Sequence, residues 1–155
     1  MKKTLLLILR IALIALIFGT LLFTFYQSSL PKAESSEVSD GASEKLEPII
    51  PSTTPTGEFV HTNIRKIAHF VEFAILGYAV ALYVVTFMRR KFIGISYLAA
   101  PIVALIDETI QVFSERGPSV TDIWLDISGF VFSASIVYIT LLAVVLIPRL
   151  FHRKK

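Results

Sequence analysis

Cysteine is absent from the 155-residue chain, which excludes disulfides, thiolate metal sites and a cysteine nucleophile. The signatures H-E-x-x-H and G-x-S-x-G are missing too, as is a phosphate-binding glycine loop. Charge is scarce over long stretches: none falls from Phe73 to Met88, from Phe92 to Ile106, or from Ile127 to Ile147. With 54% of residues hydrophobic, too little polar surface remains for an ordinary soluble domain, and a bilayer must replace it.

A spanning helix needs about 20 mainly apolar residues, because the hydrocarbon core is ~30 Å thick and each residue rises ~1.5 Å. Four segments qualify, at about 5–26, 64–88, 92–113 and 123–147. The fold class expected is therefore all-α, a single polytopic domain over residues 1–155 built as a four-helix membrane bundle. Residues 27–63 are rich in Ser, Pro, Glu and Thr. They offer little to bury, so a mobile outer loop is expected there. Gly117-Pro118 marks a turn, and Ser119-x-x-Asp122 has the form of a capping box opening the last helix.

The signs of charge are segregated. Lys2, Lys3, Arg10, Arg89, Arg90, Lys91, Arg149, Arg153, Lys154 and Lys155 fall on one side of this topology. Every Asp and Glu falls on the other. The excess of Lys and Arg makes both termini cytoplasmic in a multi-pass protein of the cell membrane. A competing account makes the first helix a cleaved signal peptide. Its apolar run is long for that role, Arg10 interrupts it, and no small-x-small site follows closely.

Bilayer thickness also draws polar residues inward. The uncharged run of the second span is too short for a full crossing, which pulls in Glu72 and His69; the third likewise pulls in Asp107 and Glu108. Helical spacing sets Arg65, His69 and Glu72 on one face, with Lys66 at its border. Gln111 follows Asp107 by four residues and Glu108 by three, so its amide can neighbour both acids while they point ~100° apart. Asp122, Asp126 and Gly129 repeat the stripe on the last helix, and Arg116 sits in the turn before it. Buried charges turn inward and pair, so the three stripes can converge. Small residues spaced by four, Gly77 and Ala81, Ala100 and Ala104, Gly129 and Ser133, suit the close packing this needs.

Three ordered motifs carry a resemblance: Lys66-x-x-His69-Phe70-x-Glu72-Phe73-x-x-Leu76-Gly77, then Asp107-Glu108-x-x-Gln111-x-Phe113 with Arg116 following, then Asp122-x-x-x-Asp126-x-x-Gly129. Together they resemble the bacterial VanZ-like family across the whole four-helix unit. Many members have Asn near the position of Asp126. The resemblance implies a cell-envelope protein, since the founding member is associated with low-level resistance to teicoplanin, a glycopeptide acting on peptidoglycan precursors outside the cell.

Three readings of the polar cluster compete. In the first, Arg65, Lys66, His69, Glu72, Asp107, Glu108, Gln111, Arg116, Asp122 and Asp126 bind a polar headgroup at the outer leaflet, of a membrane lipid, a lipid-linked precursor or a glycopeptide. Arginine suits bidentate phosphate or carboxylate contacts. In the second, ranked below it, the site is an intramembrane enzyme with His69, Glu108 or Asp122 as catalytic candidates. In the third, the cluster is a buried network that fixes helix register. No metal or other cofactor is expected, because no ligand spacing demonstrates one, although His69 with Glu72, Glu108 and Asp122 could hold a divalent ion. An ion pathway lacks polar groups through the inner halves of the helices. A nucleic-acid role is not supported, and the oligomeric state is left open.

Overall fold

In the computed structural model, the described residues are 2–87, 91–114, 117 and 119–152, without the side chains of 2, 91 and 145–152. The described chain forms helices and no strand. In order these are α1 (Lys2–Ser29), α2 (Lys32–Leu46), α3 (Pro55–Thr62), α4 (Ile64–Val85), α5 (Lys91–Tyr97), α6 (Ala99–Phe113) and α7 (Val120–His152). Four stretches are long and apolar enough to cross a membrane: Lys3–Ser29, Ile64–Val85, Phe92–Phe113 and Val120–Val144. The four spans match the sequence expectation in number and place.

The third span is interrupted where α5 passes into α6. Pro101 has no N–H to give the carbonyl of Tyr97, and its ring crowds that carbonyl. The chain answers with a tighter turn, Leu98 N–H donating to the Ile95 carbonyl at 3.0 Å.

The polar segment expected to be a mobile outer loop is instead largely helical, which corrects that expectation. The serine hydroxyls of α2 are satisfied locally, Ser36 on the Lys32 carbonyl and Ser39 on the Ser35 carbonyl, both at 2.9 Å. Glu34 in its first turn and Lys45 in its last complement the helix dipole. Thr54 caps α3 by accepting from Gly57 N–H at 3.0 Å, and Pro55 occupies the first turn, where its missing N–H costs nothing. His61 then joins the two helices, hydrogen-bonding Ser43 on α2 and the Ile50 carbonyl. Composition showed how little this segment buries, and missed how many of its polar groups satisfy one another.

The bundle is centred on the α4–α7 pair, with α6 packed against α7 and α1 laid across α4 and α6. Phe73, Leu76, Ala81, Ala100, Ala104, Phe130 and Ala134 are fully buried between them. Two glycines set the approach of α4 and α7. A β-carbon at Gly77 would collide with the Phe130 carbonyl, and one at Gly129 with the Phe70 carbonyl. The backbones thus touch directly on both sides of the crossing, as small residues permit in membrane helices. Leu22, Trp124, Ile139 and many other large apolar side chains face outward, where lipid would cover them.

Arg10 lies at the far end of the molecule from the acids. Its guanidinium donates to the Thr86 hydroxyl at 3.0 Å and carbonyl at 2.9 Å, and stacks on Phe87 with 4.1 Å to the ring centre. A cation thereby satisfies the carbonyl end of α4 and complements its dipole.

Candidate functional site

Helical periodicity places His69 one turn beyond Arg65 on α4, and the Gly77–Gly129 contacts press that face against α7. Asp126, three residues before Gly129, therefore reaches His69, and Asp107 enters from α6. The His69 Nδ1 atom lies 3.7 Å from Asp107 Oδ2 and 3.9 Å from Asp126 Oδ1. Asp107 is 0% exposed and Asp126 2%. One imidazole thus stands between two carboxylates from two other helices.

A relay approaches this centre from the rim. Arg65 donates to Gln111 Oε1 at 2.9 Å, and Gln111 Nε2 donates to Asp107 Oδ2 at 2.8 Å. The guanidinium fixes which way the Gln111 amide points, so that its NH2 faces the acid. The two acids of α6 diverge as their spacing predicts. Asp107 faces His69 on α4, whereas Glu108 turns to the start of α7 and accepts the Ser119 N–H.

That bond changes the reading of the capping box. Ser119 Oγ does accept from Asp122 N–H, at 3.2 Å. The Ser119 N–H, which the third residue of a capping box would receive, goes to Glu108 across the helix interface. Asp122 is left half-buried at the rim of a cleft lined also by Arg65, Lys66, His69, Gln111 and Leu125. Lys66 is exposed beside it.

Glu72 does not join the cluster around His69 in the same way. It is half-buried and takes a side-chain hydrogen bond from Thr24 of α1. Arg116 lies outside the described residues. The divalent set drawn from sequence, His69 with Glu72, Glu108 and Asp122, is not the set that comes together; the close group is His69, Asp107 and Asp126, each offering a ligand atom within 4.8 Å of the others.

Sequence reasoning missed the contribution of α1. Thr24 is 3% exposed and Ser28 0%, and Gln27 lines a second cleft with Arg65, His69, Glu72 and residues of α2. Their spacing i, i+3, i+4 put a polar stripe on the last turns of an otherwise apolar span. That stripe was the available signal.

Electrostatically the site is rich in acids. Among the described residues no Lys or Arg pairs directly with Asp107 or Asp126, and Asp107 Oδ1, Asp126 Oδ1, Glu72 Oε2 and Glu108 Oε2 are buried without a hydrogen-bond partner. Such groups call for a proton, a cation or a ligand's own donors. The arrangement can therefore hold a positively charged or hydrogen-rich group at its centre, while Arg65 and Lys66 present positive charge at its mouth.

No curated protein and no solved structure matches the chain. The VanZ/LLP1 family model matches residues 9–145, a stretch that contains most of the first apolar span, the other three whole and every described residue of the site, and the chain therefore belongs to the VanZ/LLP1 family.

Proposed function

We propose that the polar end of the α4–α6–α7 bundle binds the headgroup of an envelope lipid or lipid-linked precursor at the outer face of a bacterial cell membrane. The observation that carries this reading is the arrangement of Arg65 and Lys66 over a cleft whose floor holds His69 and Gln111 and whose rim holds Asp122. Cations at the mouth suit phosphate or carboxylate oxygens. Acids beneath them suit the ammonium, amide and hydroxyl donors that such headgroups also carry.

The outer-face assignment rests on charge. In the order of the spans along the sequence, Lys2, Lys3, Arg10, Arg89, Arg90 and Lys91 belong to the opposite side, and the excess of Lys and Arg marks the cytoplasmic side. Binding of a peptidoglycan precursor at the outer leaflet would act in the compartment where teicoplanin acts. A contribution to glycopeptide resistance is then one physiological expression of the same site.

The test compares wild type with Arg65→Ala and Lys66→Ala, measuring protein level, retained lipid by mass spectrometry and teicoplanin susceptibility together. Loss of a specific lipid from well-expressed variants supports the reading. A lipid profile identical to wild type in both variants overturns it.

A catalytic reading is favoured by one further observation, the placement of His69 between Asp107 and Asp126. An imidazole oriented by carboxylates is suited to proton transfer. Turnover of an envelope lipid by wild type and its loss in His69→Ala would distinguish catalysis from binding.

A further inference from the structure

Asp107 and Asp126 are nine-tenths buried or more, come from different helices, and converge on one histidine nitrogen. Their bonding is incomplete in a particular way. Gln111 satisfies Asp107 Oδ2, while Asp107 Oδ1 and Asp126 Oδ1 are buried without a hydrogen-bond partner. Asp126 Oδ1 is the oxygen that faces His69. Among the described residues positive charge does not fill the gap, since Arg65 is committed to Gln111 and Lys66 is exposed.

Like charges buried side by side repel strongly, because the low-dielectric interior screens them poorly. A helix-register network would meet the acids with amide or guanidinium donors, as Gln111 meets one oxygen. It gives no reason to aim a second buried carboxylate at the same imidazole nitrogen. A cation bound between the three groups does.

We infer that His69, Asp107 and Asp126 form a three-ligand site for a divalent transition-metal cation of the Zn2+ or Mn2+ class. One imidazole nitrogen and two carboxylate oxygens make a donor set suited to such ions. Ligands to a metal at ~2.1 Å stand roughly 3.0–3.5 Å apart, so the observed 3.7 and 3.9 Å separations close on an ion through small side-chain rotations. Gln111 supplies the supporting hydrogen bond that orients a ligating carboxylate, with Arg65 behind it.

Three protein ligands leave at least one coordination position for an exogenous oxygen. Of the three, His69 alone also lines the small, water-sized cleft between α4, α6 and α7. The metal site itself does not rest on the headgroup reading. It stands on the three side chains, and lipid can be absent from its test.

The experiment uses the full chain purified in detergent, stripped with chelator and titrated separately with Zn2+ and Mn2+. Bound metal is read by elemental analysis, Mn2+ by electron paramagnetic resonance, and folding by circular dichroism. Expected is about one ion per chain, with affinity falling by about tenfold or more in Asp126→Asn, Asp107→Asn and His69→Gln, and unchanged in Glu34→Gln on α2. Wild type that takes up neither ion overturns the inference. So does uptake that persists at full affinity in folded Asp126→Asn.

Discussion

Asp107 presents one oxygen to both Gln111 and His69, while its other oxygen is buried without a hydrogen-bond partner. Its environment makes Gln111 the residue whose loss isolates the effect of the relay. Gln111→Ala strips a donor from a buried carboxylate and uncouples Arg65, a change expected to cost about 1–3 kcal/mol. Thermal unfolding in detergent should show it, and Arg65→Ala, which leaves the Gln111–Asp107 bond in place, should cost less. Gly77 and Gly129 are constrained by contact rather than charge. A methyl group at either meets backbone from the facing helix, so Gly77→Ala and Gly129→Ala should each destabilise by about 1–3 kcal/mol. Gly41, whose β-carbon position is open, serves as the control: Gly41→Ala should leave stability unchanged or slightly raised.

Among the elements, α7 depends on its first turn. Ser119 caps it through Asp122 N–H while Glu108 accepts from Ser119 itself. Ser119→Ala removes only the side-chain bond and should cost about 1 kcal/mol. Glu108→Ala leaves the Ser119 N–H unsatisfied and should loosen the α6–α7 junction more, seen as faster amide exchange at residues 119–122. The link between α2 and α3 holds a pH-sensitive contact of its own. Backbone and hydroxyl donation from Ser52 hold the exposed Glu47 carboxyl below its usual range. A depressed folded-state value means that the contact stabilises above the unfolded-state value and is lost as pH falls through the folded one. Protection of the Ser52 amide should therefore fade on acidification below the usual carboxylate range, and Glu47→Gln should remove that dependence.

Orientation is a property of the whole molecule, and the missing cysteine makes it directly measurable. In a chain with no native thiol, Glu37→Cys on α2 and Lys3→Cys on α1 each introduce one. Both positions are exposed. A membrane-impermeant maleimide should label the first in intact cells and the second only after permeabilisation. The reverse pattern would place the acid cluster on the cytoplasmic side and remove the link to extracellular glycopeptides. Arg10 adds a second constraint at that end, since its bonds to Thr86 fasten α1 to α4 where lipid would otherwise separate them.

Much of this was legible in the chain itself. Bilayer thickness and helix rise are general constants, so the number and place of the spans follow from the uncharged runs alone. The 3.6-residue period put His69, Asp107 and Asp126 on inward faces for the same local reason, and the three ordered motifs carried the family. Periodicity specifies a direction around one helix axis and says nothing of how two axes cross. Only the packed structure, through the backbone contacts at Gly77 and Gly129, decided that Asp126 and Asp107 meet at His69, that Glu108 turns to Ser119, and that Glu72 is met by Thr24 of α1. It also decided how α2 and α3 are joined, because His61 of α3 finds Ser43 and the Ile50 carbonyl only once the chain between the helices has turned back. The absent cysteine excluded thiolate ligands from the start; the crossing of α4 and α7 assembled the nitrogen and oxygen donors that the chain holds instead.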